Sequence, residues 1–171
     1  MPPSQAAPCT TDAQAAHHTA REAARAMYAD DSAARALGIE IVEVAPGSAR
    51  LRMRVRADMT NGHGIGHGGY TFLLADTAFA YACNSHNRRA VAAAAAIDFV
   101  APTHEGDVLT AEGLEQHLAG RSGLYDIRVL NQRGELVALF RGRSATIAGQ
   151  LFDPAAVGSA AAADGRSEHT P

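Results

Sequence analysis

The chain contains no lysine and no tryptophan, and only two cysteines in 171 residues. Its fifteen basic residues are all arginine, set against eighteen acids. A net charge of −3 excludes the basic footprint that nucleic acid or an anionic membrane surface requires. Cys9 lies in a polar segment rich in Pro, Ser and Thr, and Cys83 in an apolar run, which excludes a disulfide framework and a thiolate metal site. No stretch reaches the roughly 18 apolar residues of a membrane span. The first residues lack a basic segment followed by an apolar run, so no secretory leader is expected. These absences lead to the expectation of a protein of the reducing cytoplasm, with neither nucleic acid nor membrane as a partner.

What the chain does have is an apolar fraction of 47%, enough for the core of one domain. Residues 1–16 read as a loose N-terminal segment, small and proline-bearing. The domain is expected over 17–149, led by an alanine-rich helix at about 17–36, and residues 150–171 read as a low-complexity tail. "GIEIVEVAPGSARLRMRVRADM" predicts two strands about a Pro-Gly turn. In it, Leu51, Met53 and Val55 alternate with Arg50, Arg52, Arg54 and Arg56, the period of a half-buried strand with a solvated arginine face. A long helix is predicted from Gly68 to about Cys83. Four strands follow: residues 90–100, a weaker one at 107–117, "GLYDIRVLN", and "ELVALFRGRSATIAG" after a turn at 132–134. Short links favour antiparallel pairing. The expected architecture is α+β, an antiparallel sheet wrapped around one buried helix.

The long helix, "GGYTFLLADTAFAYACN", is apolar on all sides except for Thr71, Asp76 and Thr77, with Tyr81 amphipathic. Burying an unpaired carboxylate costs several kcal/mol unless it takes up a proton. Asp76 is too far from the helix start for the dipole to stabilise it. Two readings stay open: Asp76 has a buried partner, an arginine or a cluster of backbone N–H groups, or it is a reactive acid tuned by burial. Gly68 and Gly69 open the helix, where the first N–H groups have no helical partner and no side chain blocks a ligand atom. That is the geometry of an oxyanion hole. Yet Gly68 and Asp76 are about 12 Å apart along the helix axis. If both serve one reaction, the acid must come from another copy of the helix packed antiparallel, in a two-fold dimer with shared active sites.

"NGHGIGHGG", "LADTAFAYACNS", "AIDFVAP", "GLYDI" and "VALFRG" together resemble the hotdog-fold acyl-CoA thioesterases, and among them those of phenylacetic acid degradation. The likeness spans roughly residues 37–149. It implies hydrolysis of acyl-CoA thioesters, paired subunits that assemble into a homotetramer, and no cofactor or metal. Carried onto this sequence, it implies that Asp76 is the catalytic carboxylate and that the Gly68 N–H polarises the thioester carbonyl. Asn61 would help hold the carbonyl or the water, and His67 would shape the loop beside the glycines. One departure is clear: some relatives carry a Ser or Thr in the strand after the helix to position water, whereas residues 92–96 here are all alanine. For the coenzyme A phosphates, Arg88, Arg89, Arg121, Arg141 and Arg143 are candidates. Of these, Arg121 with Ser122, in the "GRSG" loop between two strands, is the expected docking point of the pyrophosphate; His67 and Gly69 at the helix start are the other expected substrate contacts.

Three rivals are weaker. His63 and His67 are four apart but lack a third metal ligand. A hotdog dehydratase or hydratase would want a histidine five residues after Asp76, where Tyr81 stands. A non-catalytic acyl-CoA-binding module would bind without turnover.

Overall fold

The computed structural model describes residues 10–155, and the N-terminal residues 1–9 and C-terminal residues 156–171 lie outside them. Helix α1 (Thr10–Asp30) and the short α2 (Ser32–Leu37) lead into strands β1 (Glu40–Ala45) and β2 (Ser48–Arg54). A 3-10 turn at Ala57–Met59 and a glycine-rich loop precede α3 (Gly68–Asn84). Strands β3 (Ala90–Phe99), β4 (Val108–Ala119), β5 (Ser122–Leu130) and β6 (Leu136–Thr146) complete the chain. They form one six-stranded sheet in the order β1-β2-β4-β5-β6-β3, with every neighbouring pair antiparallel.

The sheet curls around α3. Its inner rows run Leu51, Ala111, Val129 and Ala138 across four strands in register, with Ile127 opposite Phe140 beside them. These side chains meet Leu74, Ala75, Ala78, Phe79 and Ala82 of the helix, all buried. Phe79 lies 5.4 Å from the Tyr125 ring and 5.9 Å from that of Phe140. A Cβ on Gly142 would come within 2.9 Å of the Phe79 ring, so the absence of a side chain there lets helix and sheet approach closely. The arginines of β2 face outward as expected: Arg50 pairs with Glu43 at 3.1 Å and Arg52 with Glu40 at 2.6 Å.

The boundaries differ from the sequence reading in three places. The first helix begins at Thr10, inside the segment expected to be loose, and is not continuous to residue 36. Asp31 interrupts it, because its Oδ1 accepts the N–H of Ala34 at 2.9 Å and caps a new helix. The strand expected to be weak, β4, is the longest, with 12 residues, since its central place in the sheet outweighs its modest propensity. The expected C-terminal tail starts ordered: Asn87 accepts the N–H groups of Leu151 and Phe152 at 3.0 and 3.2 Å and donates to the Phe152 carbonyl at 3.0 Å.

β3 is an open edge. Apart from Ala90 and Ile97, all of its residues are exposed, and Phe99 at its end is 55% accessible. The helix also has an uncovered stripe. Gly69, Phe72, Leu73, Asp76 and Ala80 recur at helical spacing and are positions that the chain's own sheet leaves partly open.

Candidate active site

The site is built where the loop of residues 61–67 feeds into α3. A bridge between Thr60 and Gly66 closes that loop. Inside it, Asn61 Oδ1 accepts the His63 N–H at 2.9 Å, and the Asn61 carbonyl accepts the Gly64 N–H at 3.0 Å. Both oxygens of Asn61 thus hold the turn together. Its side-chain NH2 has no acceptor among the described residues. The loop is docked at its far end, where Gly66 N–H donates to the Thr103 carbonyl at 2.7 Å and His67 N–H to that of Met59 at 2.8 Å.

His67 is the N-cap of α3, and its Nδ1 accepts the Gly69 N–H at 2.9 Å. As an acceptor, Nδ1 carries no proton, so the ring hydrogen is on Nε2. The structure therefore pairs His67 and Gly69, both expected to contact substrate, with each other. Gly68 N–H, the first donor of the helix, has no acceptor among the described residues. Gly68 and Asn61 line the same cleft, of about 410 Å³, whose walls include Ile65, Phe99 and Val137. A Cβ on Gly68 would sit 3.0 Å from two carbons of the Phe99 ring, so the bare backbone is what fits beneath it. The cleft is lined by two residues with free donors, the Gly68 peptide N–H and the Asn61 side-chain NH2, inside apolar walls.

Asp76 does not line this cleft. It lies two turns further along α3, about 12 Å along the axis. It is half-buried on the open stripe of the helix, and no described group donates to it. Desolvation by burial holds its carboxyl above the ordinary carboxylate range, with no neighbouring charge contributing. Tyr81, five residues on, is turned away: it is buried and its hydroxyl lies 3.4 Å from Asp31 Oδ2. Burial pushes the Cys83 thiol up to about 12, which removes it as a nucleophile. No group of three or more His, Cys, Asp or Glu among the described residues gathers to hold a metal ion.

Arg121 and Ser122 are not brought to the cleft of their own chain. They form the β4–β5 turn, level with Ala145 and Thr146 of β6 and hence with Ala90 of β3, while Phe99 marks the other end of β3. The separation is about 30 Å along the strand. Arg121 already donates twice to the Thr146 carbonyl, at 3.0 and 2.9 Å. Arg88 donates to the Gly120 carbonyl at 2.9 Å, and Arg141 is held by both oxygens of Asp126 at 2.6 and 2.8 Å.

Most of the cleft's lining escaped the sequence reading of the site, Thr71, Phe99 and Thr103 among it. Thr71 stood out in the sequence as one of the few polar residues in α3, but nothing local connects it with residue 103.

This fold, with a helix opening on a bare N–H donor and carrying an isolated carboxylate, is that of the thioesterases. Residues 63–138 match the Thioesterase superfamily, and the chain belongs to it. It is 50% identical over 134 residues to "Acyl-coenzyme A thioesterase PaaI" of Escherichia coli K12, covering 78% of this chain and 96% of that one. The structure of the E. coli PaaI protein from the phenylacetic acid degradation operon superposes with a TM-score of 0.77, over 78% of this chain and 97% of that chain. A mutant form of the phenylacetic acid degradation protein PaaI from Thermus thermophilus is 38% identical, with a TM-score of 0.66, over 68% of this chain and all of that one. A hypothetical thioesterase from Streptococcus pneumoniae, solved with coenzyme A, is 26% identical, with a TM-score of 0.62, over 66% of this chain and 90% of that chain.

Proposed function

We propose that the chain hydrolyses acyl-CoA thioesters of aryl-acetyl type, phenylacetyl-CoA or hydroxyphenylacetyl-CoA, to the free acid and coenzyme A. The observation that carries the reading is the unpartnered N–H of Gly68 at the mouth of an apolar cleft, beside the free amide of Asn61. The names of the E. coli and T. thermophilus relatives support the acyl class, and the coenzyme A held by the S. pneumoniae relative supports the carrier.

In this reading the thioester oxygen accepts from Gly68 N–H and the Asn61 amide. Both donors stay fixed as negative charge develops on it. Asp76 of a second copy reaches the carbonyl carbon from the opposite side. There it takes a proton from the attacking water, or it attacks directly to form an anhydride that water then opens. The carbon–sulfur bond breaks, and the sulfur leaves with its electron pair and gains a proton. A single turnover in water enriched in heavy oxygen separates the routes: label found in the protein before the product marks the anhydride.

The second copy is supported by two open surfaces. β3 presents a long unpaired row of backbone donors and acceptors, which edge strands in stable monomers avoid. The stripe of α3 carrying Asp76 is apolar yet uncovered. An antiparallel partner covers both and sets each Asp76 against the other chain's Gly68. Exposed Leu114 and Leu139 on the outer sheet face support further association of dimers into a tetramer. The buried, free Cys83 and the lack of a helix long and apolar enough to cross a membrane among the described residues accord with a cytoplasmic enzyme. A hydrolysis screen over aromatic and aliphatic CoA esters tests the reading. Aryl-acetyl esters are expected to give the highest kcat/KM; cleavage confined to long aliphatic esters would overturn the acyl assignment.

A further inference from the structure

The loop before α3 sets the side-chain amide of Asn61 against a glycine, and that pair has a chemistry of its own. The chain has four asparagines, at 61, 84, 87 and 131. Three are buried, with both ends of the amide engaged. Asn84 Nδ2 donates to the Ala80 and Ala90 carbonyls, each at 3.0 Å, and its Oδ1 accepts the Ala90 N–H at 2.9 Å. The Nδ2 groups of Asn87 and Asn131 donate to the Phe152 carbonyl at 3.0 Å and to Glu135 Oε2 at 2.7 Å. Asn61 differs. Its NH2 has no acceptor among the described residues, and the residue after it is glycine.

The loop favours attack of the next backbone nitrogen on the Asn61 amide carbon. Gly62 has no side chain to hinder the approach, and a Cβ built on it would meet no atom within 4 Å. Its N–H has no acceptor among the described residues, and it is exposed together with His63 and Gly64. Asn61 Oδ1 accepts the His63 N–H at 2.9 Å. This Asx turn folds the side chain back over its own backbone and draws electrons from the amide carbon. Asn131 makes the same turn, with Oδ1 on the Arg133 N–H at 2.9 Å. There, however, Gln132 follows, and the NH2 that would have to leave is tied to Glu135.

We propose that Asn61 with Gly62 is a self-modification site, at which the chain deamidates and so inactivates itself with age. The Gly62 nitrogen gives up its proton and bonds to the Asn61 amide carbon. The bond from that carbon to Nδ2 breaks, and ammonia leaves with the electron pair and the proton. Water opens the cyclic imide, leaving an aspartate or an isoaspartate at position 61. Water is the only co-reactant. Either product replaces an NH2 donor by a carboxylate, which repels the negative charge developing on the thioester oxygen beside Gly68. Isoaspartate also lengthens the main chain within the turn that Asn61 closes with His63 and Gly64. The loss of turnover rests on the thioesterase reading; the deamidation does not.

The test ages the full chain at mildly alkaline and mildly acidic pH and follows mass and thioester cleavage together. Arginine-specific digestion yields residues 57–88 as one peptide, and fragmentation assigns the change to a residue. Position 61 is expected to gain about 1 Da, the exchange of NH2 for OH, faster at alkaline pH, while Asn84 and Asn87 gain nothing. Turnover should fall in step with the modified fraction. Gly62→Ala is accommodated, since the Gly62 φ lies outside the left-handed region and no atom blocks the methyl group. It should start at wild-type turnover, then gain mass and lose activity roughly tenfold more slowly. Unaged Asn61→Asp should show about a hundredfold lower kcat. No mass gain at 61, or an equal rate in Gly62→Ala, overturns the proposal. Should Gly62→Ala fail to fold, Asn61→Gln replaces it for the mass readout, because its longer side chain closes the ring poorly; an equal rate there overturns the proposal too. Wild-type turnover in Asn61→Asp, or in the fully modified chain, overturns self-inactivation. If fresh protein cleaves no CoA ester, the thioesterase reading fails, while mass gain at 61 still upholds the modification site and its absence still overturns it.

Discussion

His67 Nδ1 accepts the Gly69 N–H at 2.9 Å, and this bond leaves Gly68 N–H as the helix donor that faces the cleft. The histidine thus acts on the backbone beside it. His67→Ala removes the cap and exposes a second free donor. Its expected cost is about 1 kcal/mol of stability, read as a lower denaturation midpoint. Turnover should fall roughly tenfold as the helix start loosens. A variant with unchanged stability would contradict the capping role.

Asp76→Asn separates function from stability. In the proposed mechanism Asp76 is the base or nucleophile, so its loss should lower kcat by about 10²–10⁴-fold. Its effect on folding has the opposite sign. Burial raises the Asp76 pKa in the folded chain above its unfolded value, so the charged form is disfavoured in the native state. Below the unfolded pKa the neutral acid costs nothing; as pH rises through the folded pKa that advantage is lost. The asparagine variant should therefore melt higher than wild type at pH 7, with the gap closing as pH falls below the ordinary carboxylate range. Thermal melts at several pH values check this. For the active enzyme, the acid limb of the kcat profile should lie above that range.

Gly68→Ala places a methyl group 3.0 Å from the Phe99 ring. Because Phe99 is largely exposed in the single chain, the ring can move, and the helix start moves with it. A displacement of this size is expected to cost about a hundredfold in kcat/KM. The double variant with Phe99→Leu should recover part of that loss by giving the methyl room. No recovery would mean that the ring is not the obstacle.

Glu115 ties the far end of the helix to the sheet. Its Oε2 accepts from the Tyr125 hydroxyl at 2.7 Å and lies 2.9 Å from His86 Nε2. Tyr125 is fully buried, so Glu115→Ala removes the acceptor of its hydroxyl and leaves it Ser144 alone. The expected loss is about 1–3 kcal/mol of unfolding free energy by denaturant titration, with glutamine at the same position retaining part of it.

The fold was legible wherever one periodicity ruled. Leu51, Met53 and Val55 alternate with arginine, and α3 is apolar throughout, so both elements announced themselves. Asp31 was overlooked inside an alanine-rich run, although an aspartate before Ser-Ala-Ala is a helix-start signal. In the cleft, Asn61 and Gly68 could be read from a local motif, as could His67 at the helix cap. Thr71 and Thr103 could not, because the cleft gathers residues from the loop, the helix, the end of β3 and β6. Arg121 and Ser122 were drawn toward the site by loop chemistry alone. The strand order, which sets the β4–β5 turn at the opposite end of the sheet, is a tertiary property that no local pattern carries.

The central claim is that each reaction centre joins the helix start of one chain to the carboxylate of another. Subunit complementation tests it most directly. Asp76→Ala and Gly68→Val, each inactive alone, are mixed, dissociated and reassembled at equal concentration. Random pairing makes half the dimers mixed, and each mixed dimer holds one intact centre of two, so activity should return to about one quarter of wild type. A mixture as inactive as its two components, with mixed dimers shown to be present, would contradict the account.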